Sequence, residues 1–81
     1  MPGHAPDRSS QEREFELAFD GMIQAGARLI EAQRAEEKLD NLYRKSRTVL
    51  HWKKLLAVRR QVDDLAQEYL ASIRKYRELI E

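Results

Sequence analysis

Arg44–Arg60 reads RKSRTVLHWKKLLAVRR, and this stretch decides how the chain folds. It holds seven basic residues (Arg44, Lys45, Arg47, Lys53, Lys54, Arg59 and Arg60) and no acidic one. It also holds a break in the apolar period. Upstream, Phe15, Met22, Leu29, Glu36 and Tyr43 share one heptad site, and downstream Leu55, Val62, Tyr69 and Tyr76 share another. Carried onward, the first register would fall on Leu50, Ala57 and Asp64 instead. Local over- or underwinding absorbs slips of about three or four residues. A slip of five interrupts the helix.

Lys45-Ser46-Arg47-Thr48 is the expected turn, because Ser46 and Thr48 can each cap a new helix. Asp40-Asn41 is the competing breakpoint. A break at 45–48 leaves arms of roughly 35 and 32 residues, each about 50 Å long at 1.5 Å per residue. Arms of matched length suit an antiparallel hairpin in which every apolar residue meets a facing partner. The alternative is one continuous helix in a long coiled coil, and the change of phase argues against it. The sequence therefore predicts an all-α, antiparallel two-helix hairpin with long helices over about 10–44 and 49–80.

Ahead of the first arm, Met1–Ser9 carries Pro2, Gly3 and Pro6 and, beyond Met1, no large apolar residue. This composition predicts a disordered tail over 1–9, leaving 10–81 as a single helical-hairpin domain. Ser9 followed by Glu12 has the spacing of a capping box. Glu12, Glu14, Glu16 and Asp20 then crowd the first turns, where the helix dipole favours negative charge.

Both arms are apolar over about half their circumference. In the first, Phe15, Met22 and Leu29 are expected at the centre, Ile23 and Ile30 on one flank, and Ala18, Ala25 and Ala32 on the other. In the second, Leu56 and Leu70 flank the Leu55/Val62/Tyr69 stripe. A two-helix seam needs only a narrow stripe, so one partner helix cannot cover arcs this wide. Two hairpins dimerising into a four-helix bundle would cover them. The expected dimer and packing face comprises Phe15, Phe19, Met22, Gly26, Leu29, Leu55, Val62, Tyr69 and Ile73. Gly21 and Gly26, beside Ala18 and Ala25, make a patch where a second helix could approach closely.

At 81 residues the chain is at most one domain, and a chain this short usually needs a staple, a metal or a partner to bury enough core. It has no cysteine, so no disulfide staples it. His4 and His51 are too few for structural zinc. Self-association is the remaining route. No apolar run approaches a membrane span, and the first residues lack the apolar core of a signal peptide, which predicts a cytoplasmic protein.

No catalytic constellation is visible. Ser9, Ser10, Ser46, Thr48 and Ser72 have no histidine spaced as a base. No glycine-rich loop exists to hold phosphate. Glu36/Glu37/Asp40 and Asp63/Asp64/Glu68 read as solvated helix faces rather than cation sites. The chain is thus expected to be non-enzymatic, with no catalytic, cofactor or metal site.

The net charge of +1 hides strong segregation. The hairpin gathers Arg44, Lys45, Arg47, Trp52, Lys53, Lys54, Arg59 and Arg60 toward its turn as a basic, partner-binding tip. In a dimer packed turn to turn, more than ten positive charges would share one end. Packed head to tail, each acidic open end would lie beside a basic turn. The sequence leaves both open. The expected function is a protein–protein interaction module, an adaptor, small chaperone or regulator that binds and sequesters another protein as a homodimer. The alternative is a nucleic-acid binder using the tip at 44–60, with Trp52 available to stack on a base.

Overall fold

The computed structural model describes the backbone from His4 to Glu81 and side chains from Ser10 onward. Two helices make up the fold, α1 (His4–Ser46) and α2 (Val49–Ile80), packed side by side as an antiparallel hairpin. The rod measures 70 × 15 × 14 Å. Its radius of gyration is 19.1 Å, against about 12 Å for a compact domain of this length.

The expected tail falls partly on Met1–Gly3 and on the side chains of residues 4–9, which lie outside the described residues. The α1 backbone is helical from His4, six residues before the expected start. Pro6 is compatible with that start, because the first amides of a helix have no intrahelical acceptor to lose.

The turn is two residues long and lies within the expected segment. Arg47 ends α1 in the left-handed region, at φ 50°, and its N–H donates to the Tyr43 carbonyl at 2.7 Å. This is the usual device for ending a helix, built here without the usual glycine. Thr48, extended at φ −86° and ψ 152°, then caps α2: its Oγ1 accepts from the His51 N–H at 3.3 Å, and its carbonyl accepts from the Trp52 N–H at 3.1 Å. Ser46 Oγ and His51 Nδ1 hydrogen-bond across the corner.

The seam alternates steps of four and three residues. On α1 it runs Ala18, Met22, Ala25, Leu29, Ala32, Glu36, Leu39, Tyr43, and on α2 Leu55, Val58, Val62, Leu65, Tyr69, Ser72, Tyr76, all of them buried or half-buried. This is the antiparallel coiled-coil pattern. The closest contact is not where volume suggested. Ala18, Ala25 and Ala32, expected on a flank, are among the four buried apolar residues, and Phe15 is more exposed than any of them. A methyl group every seventh residue lets the opposing helix come near, so the larger α2 side chains fill the space above the alanines. Leu55 is the one fully buried large side chain among the described residues. Ser72, the polar member of the seam, donates to the Tyr69 carbonyl at 2.7 Å and leaves no unmet donor.

Candidate interaction surface

Four contacts fix the register. Phe19 meets Tyr76, Glu36 meets Arg59, and Tyr43 meets Trp52. Gly26 lies against the Tyr69 ring, 3.2 Å from where a Cβ would stand. In each pair the residue numbers add to 95. A residue m of α2 therefore sits at the height of residue 95 − m of α1, and heights below are given as α1 numbers.

The register and the seam define two sides. Each residue that follows a seam residue is turned about 100° further around its helix. Viewed from one end, antiparallel right-handed helices wind in opposite senses while facing each other. The following residues of both helices therefore fall on one side of the hairpin, and the preceding residues on the other. A shallow depression lined by Arg28, Glu31 and Ala35 of α1 and Gln61 of α2 spans both helices and shows the preceding residues sharing a side.

The following side is mainly apolar between heights 15 and 30, where it carries Phe19, Ile23, Gly26 and Ile30 from α1 and Ala66, Leu70, Ile73 and Ile80 from α2, with Arg77 among them. Toward the turn it becomes polar, with Leu56 set among Gln33, Glu37, Asp40, Arg44, Arg59 and Asp63. Of these, Phe19, Ile23, Ile30, Leu56, Leu70 and Ile80 are 40–55% exposed. The preceding side carries Gln24, Arg28, Glu31, Lys38, Lys54, Gln61, Asp64, Glu68, Lys75 and Glu78, with Leu17 and Leu42 its only large apolar residues. The hairpin buries one stripe of each wide arc and leaves the other uncovered on a single side.

The expected packing residues divide accordingly. Met22, Leu29, Leu55, Val62 and Tyr69 belong to the seam. Phe19 and Ile73 belong to the uncovered side, with Phe15 at its edge against Tyr76, ring centroids 5.0 Å apart. Gly26 reaches the seam only through Tyr69, whereas Gly21 has nothing within 4 Å of a Cβ.

At the turn, Arg44, Lys45, Arg47, Lys53 and Lys54 are exposed together. Three other expected tip residues are differently placed. Arg59 spans the helices to Glu36 at 3.9 Å and Asp40 at 3.7 Å, and its guanidinium carbon lies 6.0 Å from the Trp52 ring. Trp52 rests on Tyr43, centroids 5.1 Å apart. Arg60 lies further down α2 and is exposed. Arg44 also pairs with Asp40, at 3.1 Å one helical turn away. The basic tip is therefore narrower than the basic stretch, and Glu36 and Asp40 offset part of its charge.

Among the described residues no helix is long and apolar enough to cross a membrane. Comparison with family models, curated proteins and solved structures finds no match for this chain.

Proposed function

We propose that the chain is a non-enzymatic protein–protein interaction module that works as a dimer of hairpins in the cytoplasm and sequesters or bridges a partner protein. The observation that carries this reading is the one-sided apolar face. Six large apolar side chains, each 40–55% exposed, share one side of the rod, against two, Leu17 and Leu42, on the other. Contiguous apolar surface of this kind marks association sites on soluble proteins. A second hairpin laid on it completes a four-helix bundle. The exposed basic turn is then the part left for another molecule, and an acidic protein surface is its complement.

Sedimentation at micromolar concentration tests the dimer. The expected mass is twice 9.6 kDa, and the double variant Ile23→Glu/Leu70→Glu is expected to run as a helical monomer. A wild-type monomer that is compact and fully helical refutes the reading. A gel-shift titration at two salt concentrations tests the tip. Tight, salt-sensitive binding of nonspecific DNA or RNA that Lys53→Glu/Lys54→Glu abolishes would give the tip to nucleic acid instead. No shift supports the protein-binding role.

A further inference from the structure

We infer that the apolar side takes a second copy of this chain head to tail, about a two-fold axis crossing the rod near height 25. This rests on the dimer reading above and adds its geometry. The chain exposes 6831 Å², whereas a compact chain of this mass exposes about 5,100 Å². The surplus of about 1,700 Å² is ample for a standard interface, which removes about 800 Å² from each partner.

Position comes next. Phe19, Ile23, Gly26 and Ile30 are centred near height 25, and α1 itself runs from 4 to 46, so the apolar stretch sits at mid-rod. A perpendicular two-fold there lays α1 on α1 over its full length and α2 on α2 between heights 15 and 35. Each height h then meets 50 − h of the partner. Leu70, at height 25, meets its own copy. Ile73 at 22 comes opposite Ala66 at 29, and Phe19 comes opposite Ile30, so large residues meet small or complementary ones.

Charge selects this direction over the reverse. Arg77 stands at height 18 and Asp63 at 32, so the reversal pairs them twice, once on each side of the axis. Heights 34–40 carry four basic and three acidic residues, and the facing segment, 10–16 with 79–81, carries one basic and four acidic. Packed turn to turn, two stretches of seven basic residues would instead lie side by side. Head-to-tail packing sets one basic turn at each end, so a single dimer offers two sites for acidic partners.

The absence of cysteine among the described residues makes single labelling sites clean. Spin labels at Ala27→Cys and, separately, at Lys45→Cys are read by pulsed dipolar spectroscopy. Ala27 is near mid-rod and gives a distance within about 30 Å in either dimer. Lys45 gives about 60 Å head to tail, from forty residues at 1.5 Å, and under about 30 Å turn to turn. A short Ala27 distance with a long Lys45 distance supports the inference. Two short distances overturn the orientation while leaving the dimer intact, and no coupling at Ala27 overturns both. Independently, Arg77→Glu is expected to weaken dimerisation about tenfold, and Asp63→Arg on that background to restore most of it. In a turn-to-turn dimer the two positions lie far apart, and failure of the second change to rescue counts against the pairing.

Discussion

Arg47→Gly is expected to stabilise the hairpin by roughly 0.5–1 kcal/mol. The chain reverses through one residue at φ 50°, and that residue carries a Cβ. The left-handed region costs an L-residue about 1–2 kcal/mol, because Cβ crowds the following carbonyl oxygen. Glycine removes that cost but loses more freedom on folding, about 0.4–1 kcal/mol, and the difference is the predicted gain. A second effect must be separated from it. Arg47 sits among Arg44, Lys45, Lys53 and Lys54, and deleting its charge relieves repulsion by itself. Arg47→Ala removes the charge and keeps the Cβ, so it isolates the strain. Both variants are unfolded in guanidinium at one protein concentration, since association makes the midpoint concentration-dependent. The expectation is a higher midpoint for glycine at unchanged slope, and a smaller change or none for alanine. An alanine variant as stable as the glycine one would show that charge, not backbone strain, limits the turn.

Other substitutions probe the remaining joints. Gly21→Ala meets open space and is expected to add about 1 kcal/mol of helix propensity, seen as a rise in melting temperature. Gly26→Ala sets its Cβ 3.2 Å from the Tyr69 ring, so it is expected to gain less than Gly21→Ala in the same melt, and Gly26→Leu to lose stability or mass outright. Leu55→Ala empties the one fully buried large site and is expected to cost about 2–5 kcal/mol. Against roughly 4–12 kcal/mol for a chain of this length, that loss should be plain in the loss of helicity on heating. Thr48→Ala removes the hydroxyl that caps α2 and is expected to cost about 1 kcal/mol in a denaturant titration.

The hairpin and the place of its turn were legible because a change of heptad phase survives in sequence even where no glycine or proline marks the corner. The identity of the left-handed residue was not, since arginine has no preference for that region and only the chain path imposes it. The alanine stripe was misplaced for a related reason. A helical wheel weights side chains by apolar size, whereas helices come nearest where side chains are smallest, at Ala18, Ala25 and Ala32. Glu36 stood in the first heptad site as a charge in an apolar row. Its partner, Arg59, is fixed only by the register between the helices, which no single-helix pattern contains. The width of both arcs could be read from the residues. That both uncovered arcs face the same way could not, because it follows from the handedness of two antiparallel helices.

The charges at the turn do not serve folding alone. Arg44 and Lys45 close α1, where the helix dipole favours positive charge. Lys53 and Lys54 lie in the second turn of α2, whose first turn holds no acid to offset them. Among the described residues, only Glu36 and Asp40 reach the basic side chains across or along the helices, and those pairs are exposed enough to contribute little. Net repulsion is thus held at one end of the rod, and an acidic partner docked there would relieve it. Salt separates the two situations by sign. Screening should raise the stability of the hairpin by itself, because it weakens repulsion within the tip, and should lower its affinity for an acidic protein, because it weakens attraction across the interface. Melting temperature and binding constant that move together as salt is added would place the partner somewhere other than the turn.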